Sequence, residues 1–414
     1  MIELAIFIAA IALALLAFRL GPAPAVASLL ATALEAGRVI DLGELPYIGR
    51  VELSFGGLAE PFFLTAALLG ALVIAYSKPY VEHRGLGKWF YGVLALYAIS
   101  LELIVAFENL IMVFLALELS VITAFVLIYY FGYGDRARIA IMFFIWSQIG
   151  SIAFLIGAAL MGQYAPPYAR FAPLASALLV FGLLVKMGTA GVHFWLPWAH
   201  AEAPTPLSAL LSPVHVGLMA YWIWRLLPLT DVSAYALAAY GAVTAIYGSL
   251  LVFREEDMKR ALADSTIANM GLLLAAAALG DYRAAAALFI GHALAKASLF
   301  MLSGVYVVSQ GSRRLGQVKW NSAVMAGAAL GLIALAGVFG LSLLGKALLA
   351  VSSPAPLAPL LYIALFATAI YNFWLFDKLY KPGRGEFHAP ASMEAAVLIS
   401  AVAAYALMAA IPWL

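Results

Sequence analysis

AAAALFIGHALAKASLFMLSGVYVVS, residues 284–309, carries one charged side chain, Lys296, in an otherwise apolar run. About 20 predominantly apolar residues suffice for a transmembrane helix. A helix of this length at the surface of a soluble protein would show a polar face recurring every three or four residues. Here the polar atoms are confined to His292, Lys296 and scattered hydroxyls. The stretch reads as a membrane span with a lysine about a dozen residues from either end.

Similar windows recur outward from it. They fall roughly at 2–18, 58–77, 88–107, 110–131, 137–162, 172–195, 206–228, 232–253, 263–280, 323–350, 356–376 and 391–413, with a shorter stretch at 22–36. With 284–309 this gives about fourteen transmembrane helices, an all-α polytopic integral membrane protein. The composition agrees. Of 414 residues 65% are hydrophobic and 11% charged, with a mean hydropathy of +1.01, against about 45–50% and 25% in soluble domains. The first window lacks the basic leader of a signal peptide. Gly37 to Gly57 alternates Val, Ile and Tyr with Asp41, Glu44, Glu52, Arg38 and Arg50, the pattern of a small extramembrane hairpin. The remainder, 1–414, reads as a single transmembrane domain.

An even helix count puts both termini on one side. With that side outside, 15 Lys and Arg residues fall in cytoplasmic loops and 5 in outer ones, namely Arg38, Arg50, Arg170, Arg225 and Arg283. That asymmetry satisfies the positive-inside rule. The expectation is a multi-pass protein of the cell membrane with N- and C-termini on the outer side.

Three basic residues remain inside windows: Lys186 in LLVKMGTAG, Lys296, and Lys346 in LSLLGKALL. Glu118 lies near the middle of the fifth window and Glu102 in the fourth. A basic residue at a helix centre costs roughly 2.5–3.5 kcal/mol on insertion. Snorkelling would suit Glu102 or Lys346 near a helix end, but not Lys296. A buried lysine whose carboxylate partner approaches and retreats is a proton site that can be loaded and emptied. His215 and His292 extend the set, His292 lying four residues before Lys296 on the same helix face. The expected relay is Glu118, Lys186, His215, His292, Lys296 and Lys346. His193 is open between relay and connection, and His200 is expected in a loop. Trp195, Pro197 and Pro204 read as a connection with Trp195 at the membrane interface, and Arg254 to Arg260 as a solvated face with a helix cap.

Glycines flank two of the lysines: Gly188 and Gly191 after Lys186, and Gly337, Gly340 and Gly345 before Lys346. Interrupted spans at corresponding positions of two halves mark inverted repeats with a mid-membrane site. Two five-helix repeats, about 88–228 and 232–380, follow from this placement.

The stretch VKMGTAGVHFWLPWAHAEAPTPLSALLSPVHVGLMAYWIWRL (185–226) resembles the most characteristic segment of the antiporter-like subunits of respiratory complex I, the NADH:quinone oxidoreductase. Membrane-bound hydrogenase subunits and the large subunits of multisubunit cation/proton antiporters belong to the same family. The resemblance continues in FENLIMVFLALELS (107–120), EEDMKRALADSTIANMG (255–271) and GHALAKASLFMLSG (291–304). It implies that Glu118 pairs with Lys186 on a broken seventh helix, that Lys296 is the central carrier, and that Lys346 faces the exit. It also implies proton translocation driven by redox chemistry in neighbouring subunits, with an antiporter driven by ion gradients as the alternative. Expected partners are other membrane subunits, soluble redox subunits reached through them, the bilayer, and protons or Na+.

Three departures stand out. The family often has lysine where this chain has Leu218, and His215 lies one turn earlier. A double proline is absent from GVFGLSLLGK (337–346). With Leu414 as the last residue of the sequence, the expectation is a chain without the lateral C-terminal helix, like the shorter inner members. No cysteine, phosphate-binding glycine loop, HExxH motif or nucleophile elbow is present. No cofactor or metal is therefore expected on this chain, redox catalysis belongs to other chains, and a formal charge of +2 argues against nucleic acid. A lipid- or quinone-modifying enzyme would cluster polar groups at one interface, whereas these are spread over five helices.

Overall fold

The computed structural model describes residues 2–410. The end of the last expected window and the expectation attached to Leu414 lie outside them. Two apolar helices open the described chain, α1 (Ile2–Leu20) and the shorter α2 (Pro22–Ala33). Strands β1 (Val39–Leu45) and β2 (Gly49–Ser54) follow as the expected hairpin, antiparallel with Ile40 opposite Leu53 and Leu45 opposite Gly49. Gly43 N–H and Arg50 bind the Asp41 carboxylate and hold it below its usual range of ionisation.

Helices α3 (Glu60–His83), α4 (Trp89–Ala106), α5 (Leu110–Phe131) and α6 (Arg136–Ala159) are continuous spans. The seventh is broken: α7 (Pro173–Met187) stops at Gly188 and the chain resumes as α8 (Trp195–Glu202). The eighth window also breaks, into α9 (Thr205–Leu210), a π turn (Leu211–His215) and α10 (Met219–Leu226). Pro213 has no amide hydrogen to continue the ladder, which accounts for the wider turn. Helices α11 (Ala234–Val252), α12 (Met258–Ala278) and α13 (Tyr282–Gln310) are again continuous. The twelfth window divides into α14 (Ser322–Ala336) and α15 (Leu341–Ser352), and α16 (Ala358–Tyr380) and α17 (Ala391–Ala410) complete the bundle. Among the described residues twelve segments are long and apolar enough to cross a membrane, and α2 and α7 are the two shorter apolar helices. Among the described residues each of the fourteen expected windows coincides with helix, interrupted in the seventh, eighth and twelfth.

Burial orders these helices. The hydrophobic windows of α12 and α13 are wholly enclosed by the others, while α1, α16 and α17 leave most of theirs exposed. On α6, Ile141, Ile145, Ile149, Ile152 and Ile156 are all exposed at helical spacing. In water such a stripe would be an aggregation surface; in a bilayer it is solvated by acyl chains. The chain is an integral multi-pass membrane protein.

The loops segregate as their charges do. On the basic face, Tyr133 N–H donates to Glu202 O, Arg313 binds Asp257, Arg314 binds Glu256, and Gly316 N–H donates to Lys378 O. On the other face, Glu108 N–H donates to Glu52 O, Phe171 N–H donates to Leu229 O, and Arg225 grips both oxygens of Glu108 beneath the Trp222 ring.

Candidate functional site

Five buried groups singled out in the sequence, Lys186, His215, His292, Lys296 and Lys346, and the half-buried Glu118 lie on the helices around the two breaks. Lys186 is 3% exposed, in the last turn of α7. Its ammonium nitrogen has no hydrogen-bond partner. Glu118, half-buried on α5, lies within electrostatic range of it. Among the described residues the two do not form a contact ion pair. Instead Gln148 Nε2, on α6, donates to Glu118 Oε2 at 2.6 Å. The expected pair is thus an approach across a gap, with Gln148 holding the carboxylate on one side.

His215 closes the π turn, and its Nδ1 lies 3.0 Å from the Tyr97 hydroxyl of α4. Lys186 lies within electrostatic range of it. Leu218, where the family often has a lysine, is fully buried among apolar neighbours. Next to His215, Ser212 and Thr266 share a hydrogen bond of 2.6 Å between the π turn and α12.

Lys296 sits on the central helix α13 with no exposed surface, and its ammonium donates to Leu262 O and Ser265 Oγ on α12. His292, one turn earlier, is buried beside Ser212 of the π turn and lies within range of Lys296 and Lys346. From Lys296 a set of polar groups runs on toward Lys346. Asn269 Nδ2 donates to Ser265 O at 2.7 Å and to Tyr371 Oη at 2.7 Å. Tyr371 lies one helical turn from Thr368 on α16, and Thr368 Oγ1 accepts from Lys346 Nζ at 3.1 Å. Lys346 is 7% exposed. It does not snorkel: its ammonium also donates to Ala336 O at 2.7 Å and Leu335 O at 3.2 Å, the last carbonyls of α14.

The two breaks are built alike. Gly188 N–H donates to Val185 O at 3.2 Å and Thr189 N–H to Leu184 O at 3.3 Å. In the second break Gly337 N–H donates to Ala334 O at 3.1 Å and Val338 N–H to Ile333 O at 3.3 Å. Both are Schellman closures with a left-handed glycine, at φ 68° and 74°. Each turns the chain out of a helix at membrane depth, beside a lysine.

Several expectations are corrected. Trp195 is 2% exposed rather than interfacial, and its indole N–H donates to Val185 O at 3.3 Å across the first break. His200 is not in a loop but on α8, fully buried against Phe300, within electrostatic range of Lys259, Lys296 and His215. Lys259, counted with the solvated loops, is fully buried in the first turn of α12 and donates to Ala203 O. Asp257 does cap that helix, accepting from the amides of Lys259 and Arg260 at 2.9 and 3.1 Å. Glu102 is buried at 1% exposure, not snorkelling. His193 stands apart from the row, 3.2 Å from Tyr247 Oη. No group of three His, Cys, Asp or Glu residues able to hold a metal occurs among the described residues.

Gln148, Tyr97, Asn269, Tyr371 and Thr368 were not singled out in the sequence. Neutral polar residues in apolar windows carry no signal that separates a relay from helix packing. EEDMKRALADSTIANMG holds a signal for Asp264 in its acidic side chain, which lies at the start of the 263–280 window.

The model of the family NADH:quinone oxidoreductase/Mrp antiporter, transmembrane, matches residues 108–370. The chain is 30% identical over 293 residues to the chloroplast NAD(P)H-quinone oxidoreductase subunit 5 of Anthoceros angustus, covering 63% of this chain and 39% of that protein. It is 34% identical over 284 residues to NAD(P)H-quinone oxidoreductase chain 4 2 of Trichodesmium erythraeum, covering 63% and 50%. The chain thus spans half or less of the length of these curated relatives. Two solved assemblies contain chains of the same fold. One is the Mrp complex from a Dietzia species, with TM-score 0.86 and 24% identity over 98% of this chain and 50% of that one. The other is respiratory complex I from Thermus thermophilus with bound NADH, with TM-score 0.84 and 23% identity over 100% and 96%.

Proposed function

Because this chain belongs to the NADH:quinone oxidoreductase/Mrp antiporter transmembrane family, we propose that it is a proton-translocating membrane subunit of a redox-driven multi-subunit complex. The observation that carries the reading is the row of buried ionisable groups running from Glu118 and Lys186, past His215, to Lys296, His292 and Lys346. Hydroxyl and amide groups bridge its second half. A static structural ion pair needs two charges, and isolated polar groups in a bilayer are costly. A sequence of proton acceptors, with hydroxyl and amide groups between Lys296 and Lys346, accounts for all of them.

In this reading each lysine accepts a proton on its amine and releases it when the neighbouring charge changes. Glu118 modulates Lys186: approach of the carboxylate favours the ammonium, and retreat favours the free amine. Ser265, Asn269, Tyr371 and Thr368 pass protons between Lys296 and Lys346, and His215 serves where Leu218 supplies no amine. The two breaks fall at corresponding positions, the fourth helix, of two five-helix repeats, about 88–228 and 232–380. Flavin, iron–sulfur and quinone chemistry belong to neighbouring chains, and this chain holds no cofactor of its own. The basic face is cytoplasmic and the hairpin face outer, with both termini outer, in the cell membrane.

The alternative is a large subunit of a multisubunit cation/proton antiporter, since the matching family model spans both kinds of complex. Purification of the tagged native protein in mild detergent, with mass spectrometry of its partners, separates the two. Soluble flavin, iron–sulfur or nickel subunits support redox-driven pumping. Small membrane subunits alone overturn it in favour of the antiporter.

A further inference from the structure

Asp264 lies on α12 six residues after Met258, on the side of the molecule where the basic loops gather. Its side chain has no exposed surface, and both carboxyl oxygens lack any hydrogen-bond donor. Buried carboxyl oxygens are ordinarily satisfied, and leaving them bare costs free energy. Two of its neighbours on the helix, Leu262 through its carbonyl and Ser265 through its hydroxyl, hold the Lys296 ammonium. The carboxyl is within electrostatic range of that ammonium, yet the two form no contact ion pair. On its other side, Arg260 lies one turn earlier on the same face of α12, and Arg254 and Glu255 are within electrostatic range. These three residues, with Glu202, Asp257 and Arg313, line a polar vestibule of about 530 Å3 open to the basic face. Asp264 therefore stands between a polar, open vestibule and the central lysine, and it is used by neither the capping nor the packing of α12.

We propose that Asp264 is the loading carboxylate of Lys296, receiving protons from the vestibule and delivering them to the central amine. The inference rests on the translocation reading above and adds to it an entry point of its own for the second half. In the loading step a hydronium in the vestibule protonates a carboxyl oxygen. The resulting O–H bond then breaks as a new N–H bond forms on the free amine of Lys296, leaving carboxylate and ammonium, and the carboxylate is ready for the next proton. The static alternative is a fixed counter-charge that never changes its protonation.

The test uses the complete native assembly in everted membrane vesicles, with Lys296→Met, Asp264→Asn and Asp264→Glu each checked for wild-type subunit content. Proton movement is read as the gradient formed on NADH or the gradient dissipated on adding Na+. Asp264→Asn is expected to slow proton movement by about tenfold or more, the scale of a lost positioned proton-transfer group, and Asp264→Glu to restore at least half. Infrared difference spectra of the purified assembly are expected to lose a protonated-carboxyl band in Asp264→Asn. Movement within twofold of wild type in Asp264→Asn, equal impairment in Asp264→Glu, or an unchanged carboxyl band would overturn the proposal. In each of those cases a dead Lys296→Met leaves the translocation reading standing. An active Lys296→Met removes that reading and the proposal together.

Discussion

The two helix breaks close with the same backbone motif but treat their lysines in opposite ways. At the first, Lys186 belongs to the half-helix that ends, and its ammonium finds no acceptor. Its counter-charge, Glu118, is held off by Gln148. At the second, Lys346 comes from the half-helix that begins, and it reaches back onto the last carbonyls of α14 and onto Thr368. A helix C-terminus carries partial negative charge, so Lys346 rests on fixed dipoles. Lys186 depends on a side chain that can move. Under the proposed function, the first break would change its charge on a signal, and the second would receive and hold.

That contrast can be broken most visibly at Lys346. Lys346→Met removes the donor that satisfies Leu335 O and Ala336 O, and is expected to lower stability by about 2 kcal/mol. Lys186→Met removes an unpartnered buried charge and is expected to leave the melting temperature unchanged or raised. Thermal unfolding of the two purified variants checks this, and equal destabilisation would erase the distinction. The glycines sharpen it further. Gly337→Ala forces a left-handed alanine, and the added Cβ meets Lys346 Cδ at 2.5 Å. Gly188→Ala has the same backbone strain, but its Cβ meets only Leu196 Cδ1, at 3.3 Å. The expected losses are about 2–3 kcal/mol for the former and about 1 kcal/mol for the latter, read from the same melting curves. A modest effect on rate is expected at Glu118. Glu118→Gln keeps the Gln148 contact but removes the charge, and should slow proton movement roughly fivefold, equivalent to about 1 kcal/mol. A rate equal to wild type would show that Lys186 is not governed by Glu118.

Much of this was legible because a bilayer imposes strong rules on sequence. Apolar length located every span, the Gly37–Gly57 alternation located the hairpin, and lysines in apolar windows stood out against a heavy insertion cost. What stayed hidden was of two kinds. Gln148, Asn269, Tyr371 and Thr368 are uncharged, and a buried hydroxyl or amide in a span reads the same whether it packs or conducts. Lys259, His200 and Trp195 lie near loop sequences, so proximity in the chain placed them at the surface while the fold of α8 against α12 buried them. The π turn at His215 follows from Pro213, a helix breaker inside a window whose composition alone read as continuous.

The central claim is that Lys186 carries protons rather than merely filling a break, and one substitution addresses it. Lys186→Met in the native assembly, reconstituted in proteoliposomes with normal subunit content, should reduce proton translocation by tenfold or more, the scale of a lost proton-transfer group. Wild-type translocation in that variant would contradict the account, and the buried lysines would then be structural.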